Sequence, residues 1–152
     1  MDEFLDWTDH AILRLLLADS SLSKAELAER TGLSASSCWR RVRALEQSGV
    51  IERYTVALDH ARMGLAFEAI VHLHLDRHDS GGVKRLSDAL RARAEVVACF
   101  ATTGAADYHM HVRCADIAAY NRFLEDVLFS NTSVRSAQTN VVLKRIKSGS
   151  VF

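Results

Sequence analysis

The sequence has 152 residues, 49% of them hydrophobic, and its 19 basic and 19 acidic side chains give a formal net charge of zero. This composition is typical of a globular chain with one or two small domains, and it excludes a disordered one. No apolar run approaches the roughly 18 to 20 residues of a membrane helix, and the acidic start Met1-Asp2-Glu3 lacks the basic region of a secretory signal. The three cysteines, Cys38, Cys99 and Cys114, lie among apolar neighbours. We therefore expect free thiols, no metal site and a cytoplasmic location.

The first sixty residues contain three segments whose apolar residues have the spacing of helices. The segments follow Thr8, Ser23 and Ser34, and each of these side chains can cap a helix. Ser23 and Glu26 also fit a capping box, in which each side chain accepts a hydrogen bond from the other residue's backbone N–H. We expect three helices at these places.

The third segment is the candidate DNA-binding helix. Small Ala28 allows two helices to approach and Gly32 supplies a turn conformation, which predicts the turn of a helix-turn-helix in front of it. From Ser34 to Ser48 this helix would be about 20 Å long, a length that fits a major groove. Its apolar residues are expected on the buried side: Cys38, Val42 and Leu45. The side chains left for contact with DNA are Ser34, Ser36, Ser37, Arg40, Arg41 and Arg43.

Two features of this helix have more than one interpretation. A run of arginines is commonly a solvated helix face, but the turn in front of this run favours a DNA-binding role. Trp39 is either a contact to DNA or a packing residue that covers the helix seam beside Cys38, and packing is favoured.

The apolar spacing changes near residue 60, after an extended piece at 51–58 and a connector at 59–64. The elements predicted beyond it are a strand at 67–75, a helix after a break at Gly81-Gly82, strands at 96–103 and 108–114, a helix capped by Asp116 and a strand at 139–146. The order β-α-β-β-α-β is ferredoxin-like. We therefore expect an α+β protein with a winged helix-turn-helix domain and short linking strand at 1–60. A ferredoxin-like domain for effector binding and oligomerisation would follow at 61–152, with helices on one sheet face and a second subunit on the other.

Landmarks of a known family run through the chain in order. They are Asp9-His10-Ala11-Ile12-Leu13, Gly32-Leu33-Ser34, Cys38-Trp39-Arg40-Arg41-Val42, Leu45-Glu46, Gly49-Val50-Ile51, Thr103-Gly104, Asp107-Tyr108, Tyr120, Phe123-Leu124 and Val141-Val142-Leu143. With these landmarks the sequence resembles the Lrp/AsnC family of leucine-responsive and asparagine regulators. The resemblance implies a sequence-specific regulator that binds double-stranded DNA, forms dimers and often octamers, and holds an amino acid or related molecule between subunits. Two paired recognition helices would then bind half-sites of a pseudo-palindrome about 34 Å apart.

The resemblance also places the effector beside the turn between the second and third strands of the C-terminal domain. The residues carried over are Thr103, Gly104, Asp107 and Tyr108. A carboxylate suits an α-amino group, and backbone N–H groups exposed at a glycine turn suit an α-carboxylate. The alternative is that Gly104 only makes a hairpin that Asp107 stabilises. Ala105 and Ala106 replace the usual acidic and aromatic residues, so the effector would be bulkier than usual, or absent.

Four histidines alternate on two strands that are central neighbours in a ferredoxin-like sheet: His72, His74, His109 and His111. The alternation sends them away from the helices, to the face expected at a subunit interface together with Glu68 and Arg113. One hypothesis is that they make dimerisation sensitive to pH or to a divalent metal. The alternative is a hydrogen-bonded polar interface.

Two other classes of function are weighed against a regulator. Some tetrapyrrole decarboxylases resemble the same two-domain family and use histidines in the second domain, so an enzyme is the alternative function. Outward arginines have no role in such a catalyst, and the sequence contains no nucleophile with a partner, phosphate loop or metal-ligand motif. A pure ligand-sensing module would leave the first sixty residues without a role. We therefore expect a regulator that is not an enzyme and needs no cofactor.

Overall fold

The computed structural model describes residues 5–76 and 78–147. The chain divides into two compact units, with the change between Ala57 and Leu58. The first unit contains three helices, which are α1 (Trp7–Ala18), α2 (Lys24–Thr31) and α3 (Ala35–Gln47). The helices enclose a small core of apolar side chains: Ile12, Leu13, Leu27, Ala28, Cys38, Val42 and Leu45. The buried side predicted for α3 is therefore confirmed.

Side-chain caps begin each of these helices. Helix α1 is capped by Asp6 and not by Thr8, which lies inside the first turn, because Asp6 is extended and its carboxylate accepts the Asp9 N–H at 2.9 Å. The predicted capping box of α2 is confirmed, since Ser23 Oγ accepts from Glu26 N–H and the Glu26 carboxylate accepts from Ser23 N–H.

Gly32 makes the turn between α2 and α3. Its φ of 67° is left-handed, a conformation that a glycine adopts without steric strain. Ser34, two residues later, caps α3, which starts at Ala35. The linking strand expected after α3 is absent from the described residues, because 52–59 have neither helix nor strand. An extended segment needs a hydrogen-bonded neighbour to become a strand, and the elements described in this unit are all helices.

The second unit is a four-stranded antiparallel sheet with helices on one face. Its elements are β1 (Phe67–Leu75), α4 (Ser80–Ala92), β2 (Val96–Ala101), β3 (Tyr108–Cys114), α5 (Ile117–Phe123), which continues as a π-helical segment (Leu124–Phe129), and β4 (Val134–Val141). The strand order is β2-β3-β1-β4. This is the predicted ferredoxin-like arrangement.

Three boundaries in this unit differ from the prediction. The Gly81-Gly82 pair is not a break but lies in the first turn of α4, which Asp79 caps. Strand β2 ends at Ala101, two residues before the predicted end. Strand β4 starts at Val134, five residues early, because its pairing with β1 runs from Leu75↔Val134 to Ala69↔Val141. The apolar run that suggested a later strand extends beyond the sheet, where Leu143 is 96% exposed and Ile146 86% exposed.

Alternation along the two central strands sorts their side chains by face. The helix-facing set is completely buried or nearly so: Ala69, Val71, Leu73, Leu75, Met110, Val112 and Cys114. The opposite face carries the four histidines, with His72 directly across from His109 in the register. We call this surface the histidine face.

Candidate DNA interface and effector site

The serines predicted to meet DNA have different roles at the start of α3. Ser34 is the helix cap, and its Oγ accepts the Ser37 N–H at 3.2 Å and lies 3.2 Å from Ser36 Oγ. Ser36 is exposed and Ser37 is half-buried. Ser36 is therefore the serine that the fold leaves most available to a base edge or phosphate.

Arg40 and Arg43 extend from the same side of α3 as Ser36. The spacing 36, 40, 43 and 47 places four exposed residues along one face of the helix, which we call the open face of α3. Among the described residues, no carboxylate oxygen lies within 4.0 Å of either guanidinium. Both positive charges are thus available to phosphates or to guanine edges.

Arg41 lies on a different side of the helix and contacts α1. Its Nη1 is 2.7 Å from the Asp6 carboxylate and 2.9 Å from that of Asp9, and its side chain is half-buried. The hydrogen bonds that Arg41 donates to Asp9 and Asp6 raise the pKa of Arg41, while the Asp9 N–H, followed by Arg41, lowers the pKa of Asp6. Arg41 is therefore only partly exposed and is ion-paired with Asp6 and Asp9 in this structure, and its predicted contact with DNA stays a prediction.

Lys24, which the sequence analysis overlooked, lies close to this helix. It is the exposed first residue of α2, and its Nζ is 3.6 Å from the ring centroid of Trp39 on α3. The Trp39 ring is half-buried against the core of the first unit, which agrees with the packing role favoured above. A basic residue directly after the Ser23 cap was the signal available in the sequence.

The predicted effector residues lie around the turn between β2 and β3, but they face different surroundings. Thr103 and Gly104 are exposed at the tip. The Asp107 carboxylate accepts the Leu75 N–H at 2.8 Å, which ties the turn to β1. Tyr108 is half-buried, with its hydroxyl 3.1 Å from Ser87 Oγ on α4. One oxygen of the Asp107 carboxylate therefore has a structural role.

The turn itself is held by backbone contacts. Thr102 donates its hydroxyl to the Ala106 carbonyl at 3.0 Å, and Asp107 donates its N–H to the Leu73 carbonyl at 2.9 Å. Tyr108 also lines a cavity of about 320 Å³ between α4 and β2, together with Ser87, Arg91 and Cys99. Of the four predicted residues, Tyr108 lines this cavity, and Thr103, Gly104 and Asp107 do not.

The histidine face is polar and internally bonded. Nδ1 of His72 lies 2.7 Å from Nδ1 of His109, and Asn140 on β4 contacts the other ring nitrogen of His72 at 2.9 Å. Glu68 accepts hydrogen bonds from three cations or potential cations of this face: His111, Arg113 and Arg145. Burial of Glu68 acts in the opposite direction, but these hydrogen bonds and charges together lower its pKa. Among residues 5–76 and 78–147 no three histidine, cysteine or acidic side chains are grouped so that they could hold a metal ion.

Family models match both units. Residues 5–52 match the model for a winged helix-turn-helix DNA-binding domain, and residues 68–152 match the Lrp/AsnC ligand binding domain. The chain belongs to the Lrp/AsnC family. This Lrp/AsnC protein is a transcriptional regulator with an N-terminal DNA-binding domain and a C-terminal ligand-binding domain. In the described part of the chain, no helix is long and apolar enough to cross a membrane.

Relatives of the Lrp/AsnC protein align over nearly its whole length. It is 34% identical to the Bkd operon transcriptional regulator of Pseudomonas aeruginosa over 93% of both chains. It is 32% identical to the leucine-responsive regulatory protein of Escherichia coli, covering 94% of this chain and 87% of the other. A transcriptional regulator from Neisseria meningitidis, solved in complex with L-methionine, superposes with a TM-score of 0.93 at 33% identity and covers 98% of this chain and 96% of its own.

Proposed function

We propose that this regulator binds pseudo-palindromic operators as a homo-oligomer and that an amino acid or related small molecule adjusts its affinity for them. The observation that carries the proposal is the open face of α3, where Ser36, Arg40 and Arg43 are exposed and no acid of the described residues pairs with either arginine. The helix has 13 residues and so is about 20 Å long, which suits a major groove. Two such helices in a symmetric dimer would bind half-sites about 34 Å apart, or a multiple of that distance.

The histidine face is the proposed surface for dimerisation. One face of the sheet packs against α4 and α5, and the other has large apolar side chains at its edge, such as Phe100, which is 61% exposed. A sheet face that combines exposed apolar side chains with bonded polar groups is what two symmetric copies can cover. Further assembly of dimers to octamers is proposed from the family resemblance.

The proposed effector is an amino acid held beside the β2–β3 turn by Thr103, Gly104, Asp107 and Tyr108. L-methionine is the ligand of the Neisseria meningitidis relative. One carboxylate oxygen of Asp107 accepts the Leu75 N–H, which fixes the position of this group beside the turn, and a carboxylate is the chemistry that suits an α-amino group. Because the tip residues are exposed in a single chain, a second subunit would have to complete the pocket. A coupling of about 1 to 3 kcal/mol between effector and operator would change DNA affinity about 5- to 150-fold.

Catalysis is not part of this proposal. The three relatives named above are all described as regulatory proteins. If the operator lies on the chromosome, the protein would act in the cytoplasm. The residues that carry the proposal require neither cofactor nor metal.

Selection of bound duplexes from a random-sequence DNA pool tests the proposal without a known operator. We expect enrichment of a palindromic motif with half-sites one helical turn or a multiple of it apart. On the enriched duplex, Arg40→Ala and Arg43→Ala should each weaken binding, by about 1 to 3 kcal/mol for a base contact or with a salt slope smaller by about 1 for a phosphate contact. Arg122→Ala, an exposed arginine of α5, is the matched control. A pool without enrichment, or unchanged affinity and salt slope in both variants, would refute the assignment.

A further inference from the structure

Trp39 brings together two cations from different helices. The Nζ atom of Lys24, on α2, lies 3.6 Å from the centroid of the indole ring, and the Cζ atom of Arg43, on α3, lies 5.1 Å from it. Both distances are within the range in which a cation is attracted to an aromatic ring. The two charges therefore share one aromatic platform.

The platform itself is fixed by packing. Trp39 is half-buried against the core of the first unit, where its ring also borders a cavity lined by Leu16, Leu27 and Val42. An indole anchored in this way has few alternative rotamers, so it restricts the long side chains that lie on it.

Both cations lie next to the open face of α3, since both contact the Trp39 ring on this helix. Arg43 belongs to that face, and Trp39 lies one helical turn before Arg43. Lys24 begins α2, the first helix of the helix-turn-helix, which in such motifs crosses the phosphate backbone. Within the described part of the chain, no carboxylate oxygen lies within 4.0 Å of Lys24 Nζ.

We propose that Lys24 binds a phosphate of the operator and that Trp39 is a positioning residue, which holds Lys24 and Arg43 ready for the DNA backbone. The inference rests on the proposed DNA-binding role of α3 and adds a contact from α2. A free lysine or arginine loses side-chain entropy when it binds a phosphate. Cations already held on the ring lose less, so Trp39 raises affinity without contributing charge.

The salt dependence of binding separates the two roles. Each phosphate contact adds about 0.9 to the slope of log affinity against log salt concentration. Lys24→Gln should therefore weaken binding and reduce that slope by about 0.9 for each subunit that contacts the duplex, or about 1.8 for a dimer. Trp39→Leu should weaken binding about three- to tenfold while the slope stays unchanged, because every charge remains. Trp39→Phe keeps an aromatic face and should recover part of the loss.

A double-mutant cycle on the duplex from the selection tests whether the two residues act together. Lys24→Gln should cost less affinity in the Trp39→Leu protein than in the wild type, because the lysine is no longer held. Lys84→Gln removes an exposed lysine from α4 and serves as the charge-matched control. Additive losses, or a Lys24→Gln slope equal to that of the wild type, would overturn the inference.

A fluorescence measurement keeps the test independent of whether Trp39→Leu folds. Trp7 and Trp39 are the only tryptophans in the sequence, so Trp7→Phe leaves Trp39 as the sole indole. Saturating duplex should change its emission as the cations move to phosphates, and Lys24→Gln should reduce that change. Constant emission at saturation would refute the platform role.

The DNA-binding measurements also separate this inference from the proposed function. If the wild type binds DNA and Arg40→Ala weakens the binding while Lys24→Gln and Trp39→Leu have no effect, only this inference fails, and the proposed function stands.

Discussion

Nδ1 of His72 and Nδ1 of His109 lie 2.7 Å apart across the two central strands of the sheet. At this distance one imidazole must donate a proton and the other must accept it, so the pair has room for one shared hydrogen and not for two. The groups that face this pair include one acid and several further cations or potential cations: Glu68, His74, His111, Arg113 and Arg145.

We predict that the hydrogen bond between His72 and His109 stabilises the dimer formed through the histidine face. His109→Ala leaves Nδ1 of His72 without this partner, and a buried polar group that loses its hydrogen bond costs about 1 to 3 kcal/mol. Sedimentation velocity should therefore show a smaller dimer fraction for His109→Ala than for the wild type at the same protein concentration.

His78→Ala is the control for that experiment, because His78 is exposed in the turn before α4 and lies outside the face. It should keep the dimer fraction of the wild type. An equal dimer fraction in His109→Ala and the wild type would mean that the histidine pair does not hold the subunits together.

Gly82 is required by close packing at the start of α4. A Cβ atom at this position would lie 1.8 Å from Ser133 Oγ and 2.2 Å from an Asp79 carboxylate oxygen. Ser133 is completely buried and donates to the same carboxylate at 2.8 Å. Gly82→Ala should therefore lower the free energy of unfolding by about 1 to 3 kcal/mol, measured by urea denaturation, as overpacked sites commonly do.

Gly81→Ala is the matched control in the adjacent position. The nearest atom to its new Cβ is Arg85 Nη1 at 3.4 Å, the end of a flexible exposed side chain. Alanine is the better helix former, so this variant should gain up to about 1 kcal/mol. Equal effects of the two substitutions would contradict the packing argument.

Local patterns in the sequence predicted the elements of both units well, and long-range pairing explains where they failed. The capping box at Ser23 and Glu26 involves residues three apart, and strand β3 follows from strict alternation, so both could be predicted. The start of β4 could not be predicted from local patterns, because the register of β4 with β1 depends on which residues face the helices. The prediction of the linking strand was wrong for a related reason, since a strand requires a hydrogen-bonded partner strand that the described helices of its unit do not provide.

In the candidate DNA interface, too, the residues placed by local spacing could be predicted and those placed by tertiary contacts could not. Ser36, Arg40 and Arg43 share one helix face by spacing alone, which the sequence displays. The position of Arg41 depends on Asp6 and Asp9, and its hydrogen bond to Asp9 spans 32 residues of sequence. Spacing within one helix contains no information about such a tertiary contact.

We predict that Arg41→Ala acts mainly on stability. Removing the guanidinium leaves Asp6 and Asp9 without their partner and loosens α1 from α3. Because the pKa of Asp6 is lowered in the folded protein, its favourable contribution is present above the ordinary carboxyl pKa of about 4 and is lost as pH falls through the lower folded value. The thermal midpoint of the variant should be lower than that of the wild type at neutral pH, and the difference should shrink in acid.

The comparison with Arg40→Ala distinguishes the two arginines. Arg40→Ala should leave the thermal midpoint unchanged and weaken DNA binding more than Arg41→Ala does, because only Arg40 belongs to the open face of α3. The same ranking in both measurements would mean that both arginines contact DNA, as the sequence analysis expected.

Gly104 tests whether something outside the single chain approaches the β2–β3 turn. A Cβ atom at this position would meet nothing within 4 Å, and Gly104 is not among the glycines with a left-handed backbone. Gly104→Ala should therefore fold with an unchanged or slightly raised thermal midpoint.

In the wild type, a screen of the common amino acids should identify one that raises the midpoint by mass action. If that amino acid and a second subunit close over the tip, the added methyl group should reduce the ligand-induced rise while the midpoint without ligand stays as before. Gly81→Ala, remote from the turn, should keep the full rise. An equal rise in Gly104→Ala and the wild type would mean that the effector binds elsewhere, with the cavity beside Tyr108 and Ser87 as the next place to examine.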